Sequence, residues 1–187
     1  MSEMGRGVGE GIAAEAEPSM SRSNLGPPAC HAGGGSAGSR EDGTVIDTGL
    51  LDQWAARAGL APQRRPEAEM AWGDIEVAFG IREKDDRFEI LSANRGHWLV
   101  DGVTSSRDSA VAMLLAQFGQ LWRSFNGLRD PFPAGPAAGS RVSSVAEGHL
   151  AQVKGEHGVF RREDDARVFT YVANRPHDDI AALMRNH

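Results

Sequence analysis

The chain has 187 residues, a single cysteine and a formal net charge of -6. A domain of this size can bury a core that folds without a disulfide or a cofactor, and one cysteine cannot form an intramolecular disulfide. Negative charge disfavours nucleic-acid partners, and no apolar run approaches the ~18 residues of a membrane span.

The start of the chain carries no pattern of a secretory signal, because no apolar segment follows its first basic residue. We therefore expect a cytoplasmic protein with neither membrane nor nucleic-acid partners. Residues 1–43 hold 10 of the 23 glycines and no aromatic residue, so they cannot bury enough apolar surface to offset their ordering entropy. We expect residues 1–43 to be a disordered Gly/Ala/Ser-rich tail, or sequence upstream of the natural start, and residues 44–187 to form a single domain.

The first part of this domain predicts a helix followed by strands. Thr48 can cap the helix, and Gly59 is placed to end it. A turn at residues 84–86 and a returning strand at residues 87–92 predict a hairpin, and residues 97–103 predict a further strand. Before that hairpin, one half-buried strand from Met70 to Glu83 is predicted by alternating apolar residues, which are Trp72, Ile75, Val77, Phe79 and Ile81.

One long amphipathic helix is predicted between Ser105 and Asn126. Ser105 and Asp108 resemble a capping box, and Asn126-Gly127 supplies the left-handed residue that ends a helix. The apolar stripe, which we expect to form the core, comprises Val111, Leu114, Leu115, Phe118, Trp122 and Phe125. The face expected to point outward comprises Arg107, Gln117, Gln120 and Arg123.

The C-terminal part predicts short strands and a closing helix. The strands are expected at residues 141–145, 150–153, 158–162 and 167–173, and the last of them looks central because both of its faces are filled. Pro176 suits the first turn of a helix whose apolar edge contains Ile180 and Met184. The predicted fold class is α+β, with a mostly antiparallel sheet packed against one long central helix and shorter N- and C-terminal helices.

Two segments resemble each other. Residues 82–95 (REKDDRFEILSANR) and 162–175 (REDDARVFTYVANR) share Arg-Glu, an Asp pair, an arginine, an apolar run and Ala-Asn-Arg. An ancient duplication produces such a pattern, and so does hairpin chemistry, because Asp pairs favour turns and aromatic residues favour strands.

Catalytic and metal-binding motifs are not found in the sequence. No histidine pair stands at helical i, i+4 spacing beside a carboxylate, and there is no GxSxG nucleophile motif. The acid/base candidates are pairs of aspartates at predicted turns or at a helix start, where carboxylates are solvated; they are Asp85-Asp86, Asp164-Asp165 and Asp178-Asp179. We expect neither an enzyme nor a cofactor.

Four segments carry a resemblance to a known family. They read LLDQWAARAGL, RFEILSANRG, MLLAQFGQLWRSFNGLRDPF and VFTYVANRPHDDIAALM, and together they cover roughly residues 48–187. The chain resembles the bacterial immunity-protein family that includes the immunity factor for tuberculosis necrotizing toxin. The resemblance implies a non-enzymatic protein that binds one cognate toxin, an NAD glycohydrolase in the best-known case, and occludes its active site.

Two other functions stay open from the residues alone. The first is a small-molecule-binding or regulatory domain with a pocket between the sheet and the long helix. The second is an enzyme whose site is assembled from Asp, Arg and His in loops. An apolar pocket with inward-pointing polar groups favours the binding domain, whereas continuous packing and an exposed polar patch with aromatics favour the inhibitor.

Partner-binding residues are expected at loops that rigid elements hold in place, because strands and helix stripes are needed for the core. In the polar turns the candidates are Asp85, Asp86, Asn94, Arg95, His97 and Trp98. The acidic pair is suited to steering a basic surface, and Trp98 to anchoring a contact. A second patch is expected where the long helix ends, at Arg123, Asn126 and Arg129.

Overall fold

The structure, a computed structural model, describes residues 48–144, 151–154 and 158–186, which belong to one compact unit. The predicted tail at residues 1–43 lies outside the described residues. In chain order the elements are α1 (Thr48–Arg57), β1 (Ala61–Arg65), β2 (Ala68–Gly73), β3 (Val77–Lys84), β4 (Arg87–Asn94), β5 (His97–Thr104), α2 (Arg107–Phe125), β6 (Arg141–Ser144), β7 (Ala151–Lys154), β8 (Gly158–Phe160), α3 (Glu163–Val172) and α4 (His177–Arg185). None of the described helices is both long and apolar enough to cross a bilayer.

The strands form one antiparallel sheet in the order β1-β2-β3-β4-β5-β8-β7-β6. The first five are sequential neighbours, and the C-terminal strands join through β8, which pairs with the end of β5 at Gly102–Thr104. With four helices beside this sheet, the predicted α+β fold class is confirmed.

Helix α2 contacts β3, β4 and β5 on one side and the other three helices around it. Its cap is Ser106, one residue after the predicted Ser105, and the Ser106 side chain accepts a hydrogen bond from the Ser109 amide. Phe118 is fully buried and meets Trp72 and Phe79 edge-on, with ring centroids 5.7 and 5.8 Å apart. The predicted stripe therefore forms the core, except that Phe125 at its end is 69% exposed.

The single strand predicted from Met70 to Glu83 is wrong, because a turn at Asp74–Glu76 divides it into β2 and β3. The Asp74 carboxylate accepts hydrogen bonds from the amides of Glu76 and Val77, each at 2.7 Å, and the Asp74 amide donates to the Val77 carbonyl. Ile75, expected on the buried face, is 94% exposed at the tip of this turn. Strand β1, which the sequence did not predict, pairs with β2 at the edge of the sheet.

The strand predicted at residues 167–173 is also wrong, because these residues lie in helix α3 and the short segment that follows it. Three acidic residues in its first turn, Glu163, Asp164 and Asp165, complement the positive end of the helix dipole. Helix α3 is largely buried, so it carries apolar residues on more than one face. Its buried apolar residues are Ala166, Val168, Phe169 and Val172.

The other predicted strands, the hairpin turn and the closing helix agree with the structure to within a few residues. The hairpin turn falls at Asp85-Asp86, between β3 and β4. The predicted strands at residues 141–145, 150–153 and 158–162 correspond to β6, β7 and β8, and the closing helix is α4 with Ile180 and Met184 buried.

Candidate functional site

The structure separates the polar turns that were expected to act together. Asp85 and Asp86 form the β3–β4 turn, and Arg95 and Gly96 form the β4–β5 turn, all four with positive φ. Strand β4 lies between the two turns, so they are roughly 25 Å apart, since a strand rises ~3.3 Å per residue. Consecutive turns of a meander lie at opposite ends of the sheet, so the two turns do not form one continuous patch.

One end of the sheet exposes several apolar side chains. We call it the open end and define it by Ile75 and residues 94–100. Ile75 is 94% exposed, Leu99 is 48% exposed and Val100 is 37% exposed. Arg95 and His97 are also exposed, and Trp98 is partly exposed, so the open end combines apolar, aromatic and basic groups.

The two turns of the open end are fixed to each other. The Arg95 amide donates to the Glu76 carbonyl at 2.7 Å, and the Gln63 side chain donates to the Asp74 carbonyl at 3.2 Å. Hydrogen bonds from the Val77 and Glu76 amides hold the pKa of Asp74 below its ordinary value. Ile75 is therefore presented on a turn that its own backbone and the neighbouring strands keep rigid.

A cleft of about 530 Å³ lies beside the open end, between the core-facing side of β3–β5 and helices α2 and α3. We call it the cleft. Its sheet side includes Phe79, Ser92, Asn94 and Leu99, and its helix side includes Gln117, Gln120 and Leu121. The lining therefore mixes apolar side chains with amides.

One wall of the cleft is made of two ion pairs. Arg161 donates to one carboxylate oxygen of Asp101 through Nε and Nη2, at 3.1 and 2.7 Å, and Arg162 makes two bonds to Asp165, at 2.8 and 2.9 Å. Both carboxylates are buried. Hydrogen bonding to Asp165 raises the pKa of Arg162 above its ordinary value. Each negative charge is matched by a guanidinium, so this wall favours uncharged ligands.

Gln117 was expected to point outward, and the structure places it half-buried in the lining of the cleft. Its Oε1 atom is buried and has no hydrogen-bond partner among the described residues. A buried acceptor without a donor costs stability, on the order of 1–3 kcal/mol. The atom is enclosed by the protein, so it is not offered to a ligand in the cleft as the structure stands.

Arg123 was expected to face outward, and this is wrong, because the residue is only 5% exposed. Its Nε donates to the Arg129 carbonyl at 2.6 Å, and its Nη1 donates to the carbonyls of Met184 and Asn186 at 2.7 and 2.6 Å. These last two oxygens lie at the C-terminal end of α4, where the helix dipole favours a cation. Arg123 therefore serves the fold rather than an external surface.

The other residues of the predicted helix-exit patch remain at the surface. Asn126 is exposed and its side chain donates to the Trp122 carbonyl at 2.7 Å, while Arg129 is exposed. Phe125 beside them is an exposed aromatic that the stripe had assigned to the core. Within the described ranges, no group of three or more His, Cys, Asp or Glu residues is arranged to hold a metal ion.

The sequence did not predict that Ile75 and Leu99 are exposed at the open end, or that Gln117 lines the cleft. A signal existed for the first: Trp72 and Ile75 are three residues apart, which breaks the period of a strand, and Gly73-Asp74 between them is a turn signal. No local signal marks Gln117, because its environment depends on how far β5 and α3 lie from α2.

Comparison with known proteins identifies relatives of this chain. The sequence model of the family described as Immunity protein 61 matches residues 54–187. The chain is also similar in structure to Rv3902c from M. tuberculosis, with a TM-score of 0.59, 13% sequence identity, and coverage of 75% of this chain and 89% of that chain. That likeness shows a shared fold. Among curated proteins, none shows a significant sequence match.

Proposed function

This chain belongs to the Immunity protein 61 family, which confirms the resemblance to bacterial immunity proteins, and we propose that it protects its host cell by binding one copy of a cognate protein toxin and occluding the toxin's active site. The observation that carries this proposal is the open end, where Ile75 is exposed on a hydrogen-bonded turn and Leu99 and Val100 are exposed in strand β5, which begins at the second turn. Scattered single apolar side chains are normal on protein surfaces, but a group of them on one rigid feature marks an interaction surface.

The composition of the open end supports a protein partner. Trp98 and Arg95 are of the residue types that most often dominate binding energy at protein interfaces. Rigid presentation reduces the entropy that is lost on binding, and both turns of the open end are tied together before any partner arrives. Asn94 and His97 add polar groups around the apolar ones, which is the usual arrangement of a rim.

Inhibition by occlusion requires no chemistry from this chain. The two carboxylates that line the cleft, Asp101 and Asp165, are each held by an arginine, which leaves neither placed as a free general base. We therefore propose a non-enzymatic protein that acts in the cytoplasm without a cofactor. Following the family resemblance, we propose that the toxin is an NAD glycohydrolase.

Co-expression in a susceptible bacterial host tests the proposed function. The toxin is the candidate toxin domain encoded beside the gene for this chain, and protection should follow with that toxin and not with an unrelated one. The purified pair should elute together at a one-to-one ratio with NAD hydrolysis suppressed. A toxin that stays active at a tenfold excess of this protein would contradict the proposal. Suppression of an activity other than NAD hydrolysis would change the proposed class of toxin and leave the immunity function in place.

The cleft favours a second candidate function, a small-molecule-binding or regulatory domain. Its volume of about 530 Å³ and its lining of apolar and amide side chains are what such a domain requires. Native mass spectrometry of the full chain purified from its host distinguishes the two functions. A bound small molecule, lost in a Leu121→Trp variant that fills the cleft while toxin protection is retained, would favour the second candidate.

A further inference from the structure

Half of strand β5 has a free edge among the described residues. Strand β4 pairs with β5 from His97 to Val100 and again from Gly102 to Thr104, with a shift in register at Asp101. On the other side β8 pairs only with Gly102–Thr104, and the last bond is from the Arg161 amide to the Asp101 carbonyl at 2.7 Å. No described strand lies beside residues 97–100.

The backbone of this half-strand presents hydrogen-bonding groups to that side. A two-residue turn joins β4 to β5, so Asn94 and His97 form the hydrogen-bonded pair that closes the hairpin. Hydrogen-bonded and non-hydrogen-bonded pairs then alternate along an antiparallel ladder. Trp98 and Val100 occupy the non-hydrogen-bonded positions, and their N–H and C=O groups therefore point away from β4.

The side chains beside this edge are apolar on both faces of the sheet. Leu99 lines the cleft, and Trp98 and Val100, as its neighbours in an alternating strand, face the opposite side. The outer edge of the sheet is different, because β1 carries Pro62 and two exposed arginines in five residues, features that discourage pairing with another chain. The β5 edge carries no proline or lysine at residues 97–100.

We propose that the cognate toxin binds by adding a short extended segment to the free edge of β5. This proposal rests on the proposed function for its partner and deepens it by naming the recognition mode. A segment of about four residues pairs with Trp98–Val100, and every second side chain points into the cleft.

The cleft defines the side chain that enters it. Its balanced ion pairs, Asp101–Arg161 and Arg162–Asp165, leave no net charge to attract an ion. Its lining combines the apolar side chains of Phe79, Leu99 and Leu121 with the amides of Asn94 and Gln120. A tryptophan or tyrosine of the toxin fits this description, since each combines an apolar body with one N–H or O–H group.

Amide hydrogen exchange of the full chain, alone and bound to the co-purified toxin domain, tests this inference. In the free protein the amides of Trp98 and Val100 should exchange at least 10-fold faster than that of Leu99, which bonds to β4, and in the complex they should slow by about 100-fold or more. Slow exchange of both amides in the free protein would overturn the proposal, because a segment of this chain or a second copy would then occupy the edge. Unchanged exchange in a tight complex would also overturn it.

A matched pair of variants separates backbone pairing from side-chain contact. Val100→Pro removes an N–H that makes no bond to β4, and toxin affinity should fall about 10-fold or more, as expected for a lost hydrogen bond beside an interface. Val100→Ala keeps the N–H and should weaken binding less than about 3-fold. Equal affinities of both variants, with unchanged folding by circular dichroism, would exclude edge pairing. If wild-type protein does not bind the toxin at all, the proposed function fails instead.

Discussion

The two ends of the β3–β4–β5 meander have the same kind of turn and opposite surfaces. At the Asp85-Asp86 end, charges are paired across the sheet surface: Arg82 with Glu89, Lys84 with Glu89, and Arg107 with Glu69. None of the large apolar side chains that are exposed in the described residues lies at this end. At the open end, Ile75, Leu99 and Val100 are exposed and the cleft lies beside them.

Turn conformation alone therefore does not distinguish the two ends. Both turns place two residues at positive φ and both look like polar recognition loops in the sequence. What distinguishes them is what packs beside them: α2 begins near one end, whereas β8 stops short of the other, beside which no described strand lies. Substitutions in the core, at the open end and at the acidic turn distinguish whether function belongs to the open end.

The largest effect is expected in the core behind the cleft. Phe118→Ala should lower the free energy of unfolding by about 3–5 kcal/mol, because the fully buried ring contacts Trp72 and Phe79 and its removal leaves a cavity. Gln117→Ala, one residue earlier, removes the buried acceptor that lacks a donor, so it should not lower the free energy of unfolding and could raise it by up to about 1–3 kcal/mol. Urea denaturation measures both. Similar losses would mean that the cleft is part of the packed core.

Trp98→Ala should have the next largest effect, and it should act on binding. We expect a loss of about 2 kcal/mol or more in toxin affinity, mainly through faster dissociation, if this partly exposed residue anchors the contact. Surface plasmon resonance gives both rate constants. The control is Trp122→Phe on α2, whose ring packs against Trp54 and does not line the cleft, and it should leave dissociation unchanged. Wild-type dissociation of Trp98→Ala would move the interface elsewhere.

Substitution of Asp74 should have a smaller effect on toxin affinity, and the role of this residue should depend on pH. Asp74→Ala removes the acceptor of two backbone hydrogen bonds and should loosen the Ile75 turn, with toxin affinity falling a few-fold, whereas Asp74→Asn keeps one acceptor oxygen and should retain most of it. The pKa of this group is lowered by those bonds, so its contribution is complete above the ordinary aspartate pKa and is lost as pH falls through the lowered value. The Ile75 methyl shifts in NMR should follow that titration in wild type and not in Asp74→Asn.

The smallest effect is expected at the acidic turn. Replacing Asp85 and Asp86 together by Asn should change the association rate less than about 2-fold at physiological salt, because the roughly 25 Å to the open end exceeds two Debye lengths of ~8 Å. At low ionic strength the effect should grow, since exposed charges then act at longer range. Stopped-flow association at two salt concentrations measures this. A large fall at physiological salt would place the toxin at the acidic turn.

Much of the fold could be predicted because its elements carry strong local patterns. The α2 stripe, the β3–β4 hairpin and the α4 helix follow from apolar spacing and turn residues near in sequence. The two similar segments show that a shared local pattern does not always produce the same element. Residues 82–95 form a hairpin and residues 162–175 are mostly helix, although they share the Asp pair and Ala-Asn-Arg.

The physical cause of this divergence is partly visible in the sequence. In the second segment three consecutive acidic residues precede Ala166, Phe169 and Ala173, whose spacing suits a helix face. In the first segment a long strand, β3, precedes the Asp pair and offers the returning strand a partner along its length. The helical spacing indicates the observed helix, and it outweighs the strand-like alternation of Val168, Thr170 and Val172.

The candidate site was predictable in part. Asn94, Arg95, His97 and Trp98 were expected at a partner surface from turn chemistry alone, and they do lie near the surface of the structure. Arg123 was assigned wrongly because periodicity records the face of a helix but not the carbonyl groups that another helix brings to it. The cleft was expected only as an alternative, because its width depends on the tertiary placement of α3.

The bonds made by Arg123 have a consequence for the order in which this chain folds. The β2–β5 meander joins neighbouring segments, so it can form while later residues are still being synthesised. Arg123 instead needs the Met184 and Asn186 carbonyls, 61 and 63 residues further along. Until α4 emerges from the ribosome its guanidinium must stay hydrated, which delays closure of α2 over the sheet. We therefore expect nascent chains that stop before residue 184 to stay protease-sensitive at α2 while the meander is already protected.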